Sequence, residues 1–186
     1  MHHSLRIYGG HRHVTLRCYM FFAAWTKTPL IGRLVRWIAN TYGRNMHGAY
    51  LLTLKEAEEL IDIAKGVATA KCTCRDIYRK CDNPLNNEIL LGPSRHIMLE
   101  AMSGDARETT RERAKEILQD SHHRGLILTI IKCRGDFYAI CSCCSCCCVP
   151  LRLSKKYGIG DVLVRHKNIV GEFREYQLAY KNGPDA

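Results

Sequence analysis

The chain lacks the sequence motifs of several large enzyme classes. It has no Gly-rich phosphate-binding loop, no Gly-x-Ser-x-Gly nucleophile motif and no His-Glu-x-x-His metalloprotease motif. No pair of carboxylates stands out as a general acid and base. The net charge of +10 comes without a recognisable RNA- or DNA-binding motif, so a nucleic-acid partner is not expected. These absences argue against the common routes to hydrolysis and phosphoryl transfer.

Long apolar runs are absent too. The most apolar N-terminal stretch, residues 18–25, is too short to span a bilayer and is followed by Lys27 and Pro29. No secretory signal is recognisable, and the 11 Cys are an odd number, which argues against a disulfide framework. We therefore expect a protein of the reducing cytoplasm, without a membrane span.

The length and composition fit one folded unit. A chain of 186 residues with 46% hydrophobic residues can bury a substantial core. The first nineteen residues show no clear periodicity and include four His, at positions 2, 3, 11 and 13. We therefore expect residues 1–19 to form a flexible basic arm and residues 20–186 to form a single domain.

Three helices follow from the spacing of apolar residues. A capping box formed by Thr53 and Glu56 opens the best-defined one. A second is predicted from about Asp105 to His122. The third runs from Pro29 towards Gly43, and its apolar stripe is either a core face or a docking face. The stripe consists of Leu30, Leu34, Trp37, Ile38 and Tyr42.

Strand patterns complete the expected fold. Strands are predicted over residues 67–74, 126–133, 137–142, 161–164 and 172–178. The second and third of these form a hairpin, and the last two form a final pair. The expected class is therefore α+β, a small, mostly antiparallel sheet with helices packed on it and a Cys-rich end.

The Cys residues are the most informative feature of the chain. Between Cys141 and Cys148 there are six thiols in eight residues. So many neighbouring free thiols would be prone to oxidation, whereas thiolates readily bind zinc, copper(I) or iron-sulfur clusters. Cys72, Cys74 and Cys81 lie far upstream, so two distant segments could converge on one metal centre. Nearby basic residues, among them Arg75, would balance the negative charge of such a cluster.

Several ligand sets are compatible with the spacing. Cys141, Cys144 and Cys147 have the Cys-x-x-Cys-x-x-Cys spacing that presents three thiolates to one cube of iron and sulfide. Alternatively, Cys143 and Cys146 bind one metal centre together with Cys72 and Cys74. Adjacent side chains diverge, so Cys146, Cys147 and Cys148 cannot easily bind the same metal, and either some are spectators or there are two centres. The preferred metal ligands are Cys72, Cys74, Cys81, Cys141, Cys144 and Cys147. Cys18 and Cys133 are expected to be buried small hydrophobes.

These motifs resemble those of a known group of proteins. Cys72-x-Cys74-Arg75, Lys80-Cys81-Asp82-x-Pro84 and Ile140-Cys141-x-Cys143-Cys144-x-x-Cys147 are similar to motifs of ferredoxin-like iron-sulfur proteins of anaerobic bacteria and archaea. The resemblance covers roughly residues 30–155 and implies iron-sulfur binding in anaerobic redox metabolism. Two positions depart from the pattern: Glu88 stands where relatives often have a further Cys, and Ser142 replaces an Asn. Glu88 is interpreted as an ordinary surface carboxylate, and the alternative is that it binds iron through oxygen or marks an open coordination site.

The leading functional hypothesis is cytoplasmic electron transfer through one or two [4Fe-4S] clusters. The partner would be a flavoprotein or an iron-sulfur enzyme. An iron-sulfur enzyme or maturation factor with an open iron is the first alternative, because incomplete thiolate ligation leaves an iron accessible to a substrate. A structural zinc-thiolate module is the second, since zinc takes four thiolates in a tetrahedron.

Overall fold

A seven-stranded sheet with helices on both faces forms the centre of the protein. The computed structural model describes residues 3–102 and 104–181. The strands are β1 (His47–Leu51), β2 (Val67–Ala70), β3 (Glu88–Leu91), β4 (Ala106–Thr109), β5 (Ile127–Cys133), β6 (Asp136–Cys143) and β7 (Leu163–Arg165). They lie in the order β4-β2-β3-β6-β5-β1-β7, and every neighbouring pair is antiparallel except β1 and β7. The predicted α+β class and mostly antiparallel sheet are confirmed.

Nine α-helices are seen within the described residues. They are α1 (His3–Gly10), α2 (Arg12–Ala24), α3 (Gly32–Asn45), α4 (Leu54–Ile63), α5 (Thr73–Tyr78), α6 (Ser94–Ala101), α7 (Arg111–His123), α8 (Val149–Tyr157) and α9 (Ile169–Lys181). In the part of the chain that the structure describes, none of these helices is long and apolar enough to cross a membrane.

The two faces of the sheet are buried in different cores. Alternation along β3 sends Ile89 and Leu91 to the face covered by α4, α7 and α9, and Leu90 to the face covered by α1 and α6. A further cluster joins α2 to α8 beside the second face, through residues such as Leu16 and Leu153. Both faces of the sheet are therefore buried, and a functional site must lie at an end of the sheet or between the sheet and the helices that cover it.

Two local predictions are confirmed. The Thr53 side chain accepts a hydrogen bond from the backbone N–H of Glu56, and the Glu56 carboxylate accepts one in return at the start of α4. Strands β5 and β6 form the predicted hairpin, whose turn residues Arg134 and Gly135 both have positive φ. Such two-residue turns match the right-handed twist of the strands.

The predicted flexible arm at residues 1–19 is corrected, except that the first two residues, Met1 and His2, lie outside the described residues. The segment forms α1 and most of α2. Leu5 and Leu16 are buried against the second face of the sheet and against α8. The helical pattern was missed because basic and polar residues interrupt it, and because many of its contacts, with α5, α6 and α8, are with distant parts of the chain.

Three other predictions were wrong in detail. Residues 172–178 belong to helix α9, because Ile169, Phe173 and Gln177 are buried at the four-residue spacing of a helix. Residues 106–109 form β4, paired with β2, and Thr110 rather than Asp105 caps the helix that follows. Strand β2 ends at Ala70, so the upstream Cys pair lies at the start of α5 and not on a strand.

Candidate metal centre

Four thiols meet at the end of the central hairpin. The sulfur atoms of Cys81, Cys144, Cys146 and Cys147 all lie within 4.8 Å of one another. The Cys81 sulfur is 3.7 Å from that of Cys144 and 3.9 Å from that of Cys147. We call these four residues the compact centre. Their sulfur atoms are close enough to bind one metal ion together.

Local backbone geometry builds the compact centre. After β6 the chain turns sharply, and the backbone N–H of Cys148 donates to the carbonyl of Cys144. This turn places the side chains of Cys144 and Cys147 on the side that faces Cys81. In the segment that carries Cys81, Arg79 ends α5 in the left-handed conformation, with φ of 42°, which redirects the chain towards Cys81. The backbone N–H of Lys80 then donates to the Cys147 sulfur at 3.3 Å.

The thiols of the compact centre differ in acidity. Burial raises the pKa of Cys81, but hydrogen bonds from Asn83 and from the neighbouring thiols outweigh it and lower the pKa to about 6. Burial, together with the hydrogen bond to Cys81, raises the pKa of Cys146 to about 12. Cys81 is therefore a thiolate at neutral pH, whereas Cys146 would need the charge of a metal ion to lose its proton.

A second set of thiols lies behind the first. The Cys148 thiol is in hydrogen-bonding contact with the thiols of Cys143 and Cys74. The backbone N–H of Val149 donates to the Cys74 sulfur at 3.5 Å, and Thr129 contacts the Cys143 sulfur at 3.5 Å. We call Cys74, Cys143 and Cys148 the cavity group. Among the described residues, the compact centre is a set whose ligand atoms could hold one metal ion together, and the cavity group is not such a set.

The cavity group borders a cavity of about 390 Å³ between the sheet, α2 and α3. Cys72 and Cys141 also line it, as do the rings of Tyr138 and His47. Burial, aided by the charge of Arg12, lowers the pKa of His47 to about 4. The ring is therefore neutral at physiological pH, and the cavity wall is largely apolar.

An ion pair is buried in the wall of this cavity. Arg12 contacts both carboxylate oxygens of Glu88, at 2.6 and 2.7 Å, and the two side chains are only 6% and 2% exposed. The interpretation of Glu88 as a surface carboxylate was wrong, because β3 is covered on both faces. Its carboxylate is bound to Arg12, which the sequence placed in a flexible arm. No sequence signal linked these two residues.

Arg75 lies between the two sets of thiols and is almost completely buried. Its guanidinium donates to the carbonyls of Pro84 and Ser142 and to the side chain of Asn87. Burial lowers the pKa of Arg75, but the nearby Cys72 and Cys144 thiols more than compensate, and the net effect is an increase. Arg75 thus stays charged and ties the Cys81 loop to the end of β6.

The structure divides the predicted ligands between the two places. Cys81, Cys144 and Cys147 come together with Cys146, which was a candidate but not a preferred ligand. Cys72, Cys74 and Cys141 line the cavity, which Cys144 also borders. Cys141 and Cys143 are separated from Cys144 because they belong to β6, whereas Cys144 follows its end. Outside both sets, Cys133 is buried as expected, but Cys18 is exposed, contrary to expectation.

Comparisons with known proteins give no further guide. A scan against protein-family models found no match, and neither did searches of curated proteins and of solved structures. The resemblance to ferredoxin-like proteins therefore stays a prediction based on the Cys motifs. The function must be argued from the geometry of the thiols.

Proposed function

We propose that this chain is a metal-thiolate protein in which the compact centre binds one tetrahedral zinc ion. The spacing of the sulfur atoms carries this proposal. In a tetrahedral site with Zn–S bonds of about 2.3 Å, the sulfur atoms are about 3.8 Å apart. The observed distances from Cys81 to Cys144 and Cys147 are 3.7 and 3.9 Å. A four-iron cube has a separate iron for each thiolate, so it requires its ligands to lie further apart.

Zinc at this position would have a structural role. Four thiolates fill the tetrahedron and leave no open position for a substrate. The ion would join the loop that carries Cys81 to the turn between β6 and α8. Arg75 and the hydrogen bond from Lys80 to Cys147 also connect these two segments. Such a site requires its Cys residues to be reduced, so we place the protein in a reducing compartment such as the cytoplasm.

A second candidate function is electron transfer through a [4Fe-4S] cluster, and the cavity group favours it. Together with Cys72 and Cys141, which line the same cavity, its three thiols make a set of five candidate ligands. Largely apolar walls would limit the access of water to a cluster and influence its reduction potential. A flavoprotein or an iron-sulfur enzyme would be the redox partner. If only three thiolates bind, the fourth iron is open to a substrate, as in the enzyme alternative.

Metal analysis of the protein purified without oxygen tests both candidates. We would measure zinc, iron and acid-labile sulfide per chain, and record an electron paramagnetic resonance spectrum after reduction with dithionite. The same measurements would be made on two paired variants, Cys81→Ser/Cys146→Ser and Cys74→Ser/Cys148→Ser. The first pair removes ligands from the compact centre only, and the second removes them from the cavity group only.

The two candidates give different results. One zinc per chain that only the Cys81→Ser/Cys146→Ser variant loses supports the zinc proposal. About four irons and four sulfides that only the Cys74→Ser/Cys148→Ser variant loses support a cluster at the cavity group. Iron and sulfide that are lost from the Cys81→Ser/Cys146→Ser variant instead would contradict zinc at the compact centre. A wild-type protein that holds no metal would contradict both candidates.

A further inference from the structure

An exposed apolar surface on α2 and α3 lies outside both sets of thiols. Most of the large exposed hydrophobic side chains of the described residues are concentrated in it. Leu30 is 94% exposed and Trp37 is 64% exposed. Extended exposed apolar surfaces of this kind mark interaction sites. We call it the α2–α3 patch, and it consists of Val14, Phe21, Phe22, Trp25, Leu30, Ile31, Leu34, Trp37, Ile38 and Tyr42.

The patch is additional to the core contacts of these helices. Helix α2 already buries one side through Leu16, Met20 and Ala23, at four- and three-residue spacing. Its opposite side exposes Phe21 and Phe22, whose rings pack edge to face at 5.4 Å. The exposed residues are thus not needed to attach α2 to the rest of the protein.

The sequence segment that carries the patch has charged side chains of one sign, although Asp76 contacts α2 through His13 and Asp161 contacts α3 through Arg44. Residues 1–55 contain no Asp or Glu, although the whole chain has 18 of them. Arg17, Lys27, Arg33 and Arg36 are exposed in the segment that carries the patch. Within the described residues, none of these four forms an ion pair with a carboxylate. Arg36 donates to the carbonyls of Thr26 and Tyr157, and Lys27 lies over the Tyr157 ring, but neither contact neutralises the positive charge.

We propose that the α2–α3 patch binds the surface of an anionic membrane. Helices that lie in a membrane interface combine Trp, Phe and Leu on one side with Lys and Arg beside them, which is the composition found here. Anionic lipids attract such basic residues, and the apolar side chains insert among the acyl chains. Arg is also common at protein interfaces, but a segment of 55 residues without Asp or Glu matches the uniform negative charge of an anionic membrane better than a protein surface, which carries charges of both signs.

Membrane binding would also affect the cavity. Phe22, Ile38 and Tyr42 belong to the patch and line the cavity as well. The cavity therefore opens among exposed residues of the patch. A membrane covering the patch would close this opening to water and give apolar molecules in the membrane access to the cavity.

Tryptophan fluorescence gives a direct test with the full-length protein. The chain has two Trp residues, Trp25 and Trp37, and both lie in the patch. We would titrate the protein with phosphatidylcholine vesicles with and without added phosphatidylglycerol. We expect a blue shift of the emission and quenching by brominated acyl chains only when the anionic lipid is present. Added salt should weaken the binding, because it screens the attraction.

Variants identify the surface responsible. Leu34→Glu/Ile38→Glu places two carboxylates in the patch and should weaken vesicle binding by at least about tenfold. Arg33→Gln should weaken it by about fivefold, the usual contribution of one basic residue at an anionic surface. Leu178→Glu is the matched control, because Leu178 is an exposed hydrophobic residue on α9, 55% exposed and outside the patch. It should leave binding unchanged.

Two results would overturn the proposal. One is the absence of any fluorescence change with anionic vesicles at low salt. The other is a dimer, detected by light scattering without lipid, that Leu34→Glu/Ile38→Glu converts to a monomer, because the patch would then bind a second copy of the chain. Neither result depends on the metal content, so the test is independent of the function proposed for the thiols.

Discussion

The two sets of thiols differ although they share one short stretch of sequence. Cys143 and Cys144 are adjacent, as are Cys147 and Cys148, yet one member of each pair belongs to the cavity group and the other to the compact centre. Hydrogen bonds with Cys143 and Cys74, together with burial, raise the pKa of Cys148 well above its usual range. Both sets pair a thiol of lowered pKa with one of raised pKa: the hydrogen bond with Cys148 lowers the pKa of Cys74, and in the compact centre the pKa of Cys81 is about 6 and that of Cys146 about 12.

This difference shows that proximity along the chain does not define a metal site. Adjacent side chains point in different directions, so a dense run of Cys supplies ligands to both of its sides. The compact centre takes its fourth ligand from the loop after α5, and the cavity group takes Cys74 from the start of the same helix. Three predictions test how independent the compact centre and the cavity group are, and a fourth concerns a site far from both. They are given in order of decreasing effect.

The largest effect is expected from Cys81→Ser. The variant removes one of four thiolates and so loses the ion that the folded protein binds. When free zinc is about a thousandfold above its dissociation constant, the lost binding lowers the free energy of unfolding by about 4 kcal/mol. Urea unfolding in zinc-buffered solution measures this loss. Cys18→Ser is the control, because Cys18 is exposed and belongs to neither set. Equal stability of the two variants would contradict a metal in the compact centre.

Arg12→Met should lower the stability of the protein at the cavity wall and leave the compact centre intact. It leaves the Glu88 carboxylate buried without its partner, which typically costs about 3 kcal/mol or more. The double variant Arg12→Met/Glu88→Gln removes both charges and should recover most of this loss. Chemical denaturation gives the stabilities, and zinc content should be unchanged in both variants. A double variant as unstable as the single one would show that the ion pair itself is not the cause.

Alkylation should distinguish the two sets in metal-free protein. At pH 7 Cys81 is mostly ionised, since its pKa is about 6, and it should react with iodoacetamide at least about tenfold faster than Cys148. The rate at Cys81 should fall as the pH is lowered through 6. Peptide mass spectrometry measures both sites, and circular dichroism checks that the metal-free protein stays folded. Equal rates in the folded protein, as expected for the unfolded chain, would contradict the assigned environments.

The smallest effect is expected from Glu56→Gln, far from both sets. Hydrogen bonds from Arg165 outweigh a small effect of burial and, with those from Thr53, lower the pKa of Glu56 to about 2. Its ionised form therefore stabilises the folded protein above about pH 4.5, and this contribution is lost as the pH falls towards 2. We expect Glu56→Gln to cost about 1 kcal/mol at pH 7 and less than half of that at pH 2, where Glu56 is half protonated. A cost at pH 2 as large as that at pH 7 in thermal unfolding would contradict this reason.

The sequence predicted those parts of the fold that depend on local patterns. The capping box of α4 and the β5–β6 hairpin were found because short-range spacing and turn residues specify them. Helix α9 was mistaken for a strand, because the burial of Phe173 depends on contacts with α4 and the sheet. Residues 3–19 were expected to be flexible because nothing local indicates that Arg12 meets Glu88, 76 residues away.

For the candidate site, the sequence by itself determined the chemistry: six thiols in eight residues, with three more upstream, could be interpreted as metal ligands from composition and spacing. It also indicated that adjacent thiols would diverge, because that follows from backbone geometry. Only the tertiary structure decided which thiols meet. The position of Cys81 beside Cys144 depends on how the loop after α5 packs against the end of β6, and that packing is fixed by contacts between residues distant in sequence, such as those of Arg75.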